Sequence, residues 1–185
     1  MRYHNLNGTW EVKDEDGSYR IPAEVPGNIH QALLSSECIP DPYYRENERD
    51  LQWIGEKKWT YSRSFEVYEE DLEHSKIELL CEGLDTLAQI EVNQKIVANT
   101  DNMFRKWEFD LKPFLKTGSN SISISFDSAA HYVAEREEYR HLATPSCIEH
   151  EKFGRPWLRK EGCNFGWDWG PVLVTCGIWR SIGIR

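Results

Sequence analysis

The sequence predicts an all-β protein: an antiparallel β-sandwich of jelly-roll type, with a short N-terminal helix and one helical insertion. Three observations predict it. Short runs of alternating apolar and polar residues recur with turn residues between them, most clearly in residues 59–67 and 121–126. Aromatic residues make up 12% of the chain, eight of them Trp, and such side chains suit a pleated, half-buried surface. Only two stretches, around residues 28–34 and 128–143, show helical rather than two-residue spacing.

In chain order, Thr9 to Val12 reads as a first strand after the Asn7-Gly8 turn, and Tyr19 to Glu24 as a second. Val25-Pro26-Gly27 ends that strand, and Asn28 is placed to cap a short helix through His30, Leu33 and Leu34. Residues 38–55, with Pro40, Pro42 and the Tyr43-Tyr44 pair, read as irregular. From Trp59 to Val67 the alternation puts Trp59, Tyr61, Phe65 and Val67 on one face. Strands are expected at Lys76 to Cys81, Leu87 to Val92, Lys95 to Ala98 after a turn at Asn93-Gln94, Trp107 to Leu111, and Ser121 to Phe126. Ala129, Tyr132, Val133, Arg136 and Tyr139 then carry helical spacing within residues 128–143. A connection rich in Gly, Pro and Trp fills residues 144–171, and residues 178–185 read as a last strand. Residues 1–185 are expected to form one domain.

Composition removes whole classes of function. A net charge of -9 leaves no basic face for nucleic-acid phosphates, and no apolar run reaches the roughly 20 residues that span a bilayer. A mean hydropathy of -0.65 describes a well-solvated surface. The segment from Met1 to Trp10 lacks the apolar core of a secretion signal. Five cysteines, at 38, 81, 147, 163 and 176, are odd in number and contain no C-x-x-C spacing. Free thiols and a cytoplasmic location are therefore expected.

The chemistry concentrates in Cys163-Asn164-Phe165-Gly166-Trp167-Asp168-Trp169-Gly170-Pro171. One carboxylate stands between two indoles, and with Trp157 three of the eight tryptophans fall within thirteen residues. Flat rings can stack on a sugar's C–H face while an ionised Asp accepts hydrogen bonds from neighbouring hydroxyls. In an extended chain Asp168 would point away from Trp167 and Trp169, so Gly166 and Gly170 must let the backbone twist. A second interpretation stays open at this level, with the rings in the core and Asp168 capping a turn.

Other constellations are weaker. Glu135, Glu137, Glu138, Glu149 and Glu151 offer carboxylates but no distinctive pair for glycoside hydrolysis, so no catalytic residue is assigned. His131, Glu135, Glu138 and His141 on one helix supply too few ligands for a metal. No G-x-S-x-G, His-paired cysteine or phosphate-cradling glycine loop occurs, so no cofactor is expected. Arg159-Lys160 could neutralise a carboxylate, although such pairs more often face solvent. Arg180 is placed to pair across a sheet.

These residues resemble the N-terminal domain of β-mannosidases of glycoside hydrolase family two. The likeness rests on residues 165–171 followed by Thr175-Cys176-Gly177-Ile178-Trp179-Arg180. It extends upstream to Leu6-Asn7-Gly8-Thr9-Trp10, to residues 25–34 from Val25-Pro26-Gly27-Asn28 onward, to Ile39-Pro40-Asp41-Pro42-Tyr43-Tyr44, to Asn47-Glu48 and to residues 53–59. The resemblance implies a sugar-binding, galactose-binding-like jelly roll at the start of a longer multidomain glycosidase, followed by immunoglobulin-like domains and a TIM barrel. It implies a retaining exo-β-mannosidase releasing terminal, non-reducing β-D-mannose, with both catalytic glutamates on the barrel. Trp167 and Asp168 would line the terminal mannose subsite, Trp169 would support them or join the wall, and Arg159 and Lys160 would have a supporting part. The 185-residue chain alone would then be inactive. Two alternatives remain: a free-standing carbohydrate-binding module with Trp157, Trp167 and Trp169 as its platform, and a purely structural domain that buttresses the barrel.

Overall fold

Alternation builds the central strands. The computed structural model describes residues 3–142 and 155–185, and in it ten strands form two antiparallel sheets. The larger sheet contains β2 (Gly8–Asp14), β3 (Arg20–Val25), β4 (Trp59–Val67), β6 (Ala88–Val92), β7 (Lys95–Thr100) and β9 (Gly118–Phe126), in the order β3-β2-β4-β9-β6-β7. The smaller contains β1 (His4–Asn5), β5 (Glu78–Cys81), β8 (Trp107–Asp110) and β10 (Ile182–Ile184), in the order β1-β10-β5-β8. β4 and β9 pair along their whole lengths, from Trp59 opposite Phe126 to Val67 opposite Gly118.

Trp59, Tyr61, Phe65 and Val67 all face the core, as their parity requires. Arg63 shares that parity but stays half-buried, because its guanidinium donates to the carbonyls of Leu6 and Asn7, each at 2.8 Å. Trp10 and Trp59 are sealed inside, and each indole N–H is satisfied by a carbonyl, Leu6 at 2.8 Å and Ile54 at 2.9 Å. Truncating either to Ala would cost about 3–5 kcal/mol. Asn93 and Gln94 take the left-handed conformation that closes the β6–β7 hairpin, where the sequence places the turn.

α1 (Ile29–Ser35) begins at Asn28, whose side chain accepts from the Gln31 amide while Gln31 reaches back to the Asn28 amide. The stretch read as irregular contains two one-turn helices, α2 (Asn47–Asp50) and α3 (Trp53–Glu56), and α4 (Glu69–Leu72) follows β4. Such short turns are too brief for periodicity to reveal. α5 (Ala129–Tyr139) realises the helical insertion and starts at Ser128, whose hydroxyl accepts from the His131 amide and donates to Gly55 O. The expected helix end at Ala143, together with Cys147, Glu149 and Glu151, lies outside the described residues.

The last strand is shorter than expected. Residues 176–178 give their carbonyls to the amides of Ile29, Asp85 and Gly27, so only residues 182–184 remain to pair with β5 and β1. Among the described residues Arg180 has no partner across the sheet; its guanidinium lies 4.1 Å from the Trp179 ring centroid. A second, smaller core joins Ala129, Ala130 and Val133 of α5 to Leu158, Phe165, Val172 and Val174. That core carries the site.

Candidate functional site

The aromatic segment does not lie flat: Phe165 folds inward while the turn beyond it stands out. Residues 162–165 make one 3-10 turn ending on Gly166, whose φ of +117° is open to glycine and strained for other residues. Phe165 therefore turns inward and is completely buried in the second core. Trp167 to Gly170 then reverse in a tight turn, with the Gly170 amide donating to Trp167 O at 3.3 Å. Asp168 and Trp169 occupy its tip.

Tip and base differ sharply in exposure. Trp169 is 77% exposed, and Asp168 is exposed with no hydrogen bond or ion pair to any described residue. Trp167 is half-buried. The Arg155 guanidinium lies 4.7 Å from its ring centroid, and the Trp169 ring tilts against it at 5.3 Å and 55°. The turn-capping interpretation of Asp168 and the core interpretation of Trp169 are thereby set aside; for Phe165 the core interpretation is right. Trp157 is separate from this pair, because its indole N–H donates to Glu137 at 3.0 Å and its ring packs on the second core.

The turn stands on a rigid base. Val172, two residues beyond Gly170, gives its amide to the Glu48 carboxylate at 3.0 Å and accepts at its carbonyl from Gln52 at 2.7 Å. Val174 passes so close to α3 that a Cβ on Gly55 would lie 2.7 Å from its carbonyl oxygen. On the outgoing limb, Arg159 O accepts from the Met103 amide at 3.0 Å. Lys160 is not at the surface; its ammonium is buried against Asp85 at 2.6 Å and Thr175 O at 2.9 Å. Arg159, its neighbour, does face solvent.

Buried polar groups cluster beneath. Burial, reinforced by the Lys160 charge, pushes the His30 imidazole down to about 4, and burial pushes the Tyr61 hydroxyl and the Cys176 thiol well upward. On α5, partial burial raises the Glu137 carboxyl, but hydrogen bonds from Trp157 and His141 outweigh it and leave the group below its usual range. Glu137, not the considered His131–Glu135–Glu138 set, is thus the carboxylate His141 uses. The sequence reading passed over Asp85 and Gln52, and it named Glu48 and Glu137 without the contacts they make here. Only Glu137 carried a signal, its four-residue spacing to His141. Among the described residues, no group of three or more His, Cys, Asp or Glu could hold a metal ion.

Sandwich and protruding turn together define a galactose-binding-like β-sandwich domain that presents an exposed carboxylate and indole side by side at the tip of one loop. The chain belongs to the family described as glycosyl hydrolase 2 galactose-binding domain-like, whose model matches residues 10–180. It is 39% identical over 187 residues to the β-mannosidase of Capra hircus, covering 98% of this chain and 21% of that protein. To β-mannosidase A of Emericella nidulans it is 36% identical over 174 residues, covering 92% and 18%. The crystal structure of β-D-mannosidase from Dictyoglomus thermophilum superposes with a TM-score of 0.90 at 37% identity, over 100% of this chain and 22% of that one. The exo-chitosanase of Amycolatopsis orientalis, at 17% identity and a TM-score of 0.70, shares the fold alone. The chain thus spans about a fifth of the length of these relatives.

Proposed function

We propose that this chain is the N-terminal domain of a retaining exo-β-mannosidase acting on terminal, non-reducing β-D-mannose. In this reading the turn at Trp167, Asp168 and Trp169 contributes to the mannose subsite. The catalytic glutamate pair belongs to a downstream TIM barrel, the partner against which the turn sits. The observation that carries it is Asp168: an exposed carboxylate without an intramolecular partner among the described residues, at the tip of a loop whose base is fully packed. A carboxylate acting across a domain boundary is expected to look unused in its own domain. Its chemistry suits hydroxyl binding, since an ionised Asp only accepts and can take two adjacent sugar hydroxyls. Trp167 and Trp169 supply the apolar wall.

The free-standing binding module is less well supported, because Trp157 is tied to Glu137 and does not share a platform with the other two rings. The purely structural alternative is opposed by the 77% exposure of Trp169. Cytoplasmic residence belongs to the same proposal, with the four described cysteines all free. The test is Asp168→Ala in the protein with all its downstream sequence, assayed on an aryl β-mannoside. A loss in kcat/KM of more than tenfold is expected, and an unchanged value with an intact fold would refute the subsite role.

A further inference from the structure

We propose that Lys160 is a positioning residue for the Trp167–Gly170 turn, acting by closing the neck of the loop that carries it. The proposal rests on the reading of that turn as a sugar contact. The loop leaves the sandwich at Lys160 and returns at Thr175. The Lys160 ammonium lies 2.6 Å and 2.5 Å from the two Asp85 oxygens and 2.9 Å from Thr175 O. An ammonium has three protons, and these contacts use all three. One group therefore ties together the outgoing limb, the returning limb and the β5–β6 connection.

Asp85 is itself held. Its amide donates to Gly177 O at 2.9 Å, its carbonyl accepts from the Gly177 amide at 3.0 Å, and the Thr86 hydroxyl donates to its carboxylate. Neither partner is free to drift, since the Lys160 and Asp85 side chains are 0% and 4% exposed. Burial and the Lys160 charge together lower the proton affinity of the His30 imidazole, which is therefore neutral near pH 7.

A buried ion pair contributes little net stability compared with a well-packed apolar replacement, because both charges lose their water. What it supplies here is geometry. The pair can form only when both limbs start from one place, and a contact group displaced by about 1 Å forfeits much of its effect. Residues 161–174 then carry that registration outward through Phe165 and Val172.

The single change Lys160→Met leaves Asp85 buried without its counter-ion and endangers the fold. The paired change Asp85→Asn/Lys160→Met removes both charges and keeps an acceptor for Thr86, so it is the variant to measure. In the protein with all its downstream sequence, assayed on p-nitrophenyl β-D-mannoside, it should lower kcat/KM about tenfold. In an Asp168→Ala background the same pair of changes should add less than about twofold, because both routes disable one contact. A purely structural role would make the losses additive. Should that paired variant not fold, Asp85→Asn/Lys160→Gln, which also removes both charges, carries the same cycle with the same expected loss. Additive losses, or full activity with the ion pair gone, overturn the proposal. An unchanged rate in Asp168→Ala alone instead overturns the sugar-contact reading beneath it.

Discussion

The Glu48 carboxylate accepts a hydrogen bond from the Val172 amide at 3.0 Å, joining positions 124 residues apart. Pro171 cannot donate, so the Val172 amide is the first backbone donor after the turn, and an ionised acceptor makes the bond strong. Glu48→Ala should destabilise the domain by about 1–2 kcal/mol, read as a lower urea midpoint with an unchanged slope. The same variant should lower kcat/KM in the complete protein, because the returning limb loses its tie to α2.

The turn itself should behave in the opposite way. Asp168 and Trp169 are exposed, and Asp168 has no partner among the described residues, so Asp168→Ala and Trp169→Ala should each shift stability by no more than about 0.5 kcal/mol. Loss of activity without loss of stability is the expected signature. Equal thermal midpoints beside a kcat/KM reduced more than tenfold would show it.

His30 predicts an acid sensitivity. Its folded pKa, down to about 4, lies below the 6.5 of an unperturbed His, so the unfolded chain binds the proton first. Stability is therefore full above pH 6.5 and falls as pH drops from there to about 4. The ceiling on that loss is on the order of 3 kcal/mol, because each tenfold change in proton affinity is worth about 1.4 kcal/mol. Urea titrations at several pH values should show this slope in the parent protein and a flatter one in His30→Gln.

Gly177 faces the α1 cap with no room to spare. A Cβ there would sit 2.6 Å from Gly27 O and 2.9 Å from Asn28 Cα, both backbone atoms that cannot swing aside. Gly177→Ala should cost about 3 kcal/mol and loosen the neck beside Asp85, lowering the thermal midpoint by several degrees.

How much of this was legible depends on range. Trp59 to Val67 announces its inward face because a strand repeats every two residues, whatever lies across from it. Asn28 and Gln31 announce a helix start because a cap is complete within four residues. The Asp168 tip is visible for the same reason: two glycines and two indoles around one carboxylate are a local pattern. Lys160 shows where local reading fails. Beside Arg159 it looks like surface charge, yet its partner Asp85 lies 75 residues away.

By itself the sequence determined the sandwich, its main strands, the first helix and the residues at the turn, since each follows from periodicity or turn chemistry over a few neighbours. Tertiary structure alone decided which way each ring faces, with Phe165 buried, Trp167 beneath Arg155 and Trp169 in solvent. It also decided that Asp85 and Glu48 hold the loop. A charge is committed to burial only when folding brings its counter-ion and donors within hydrogen-bond reach, and no spacing along the chain records that meeting.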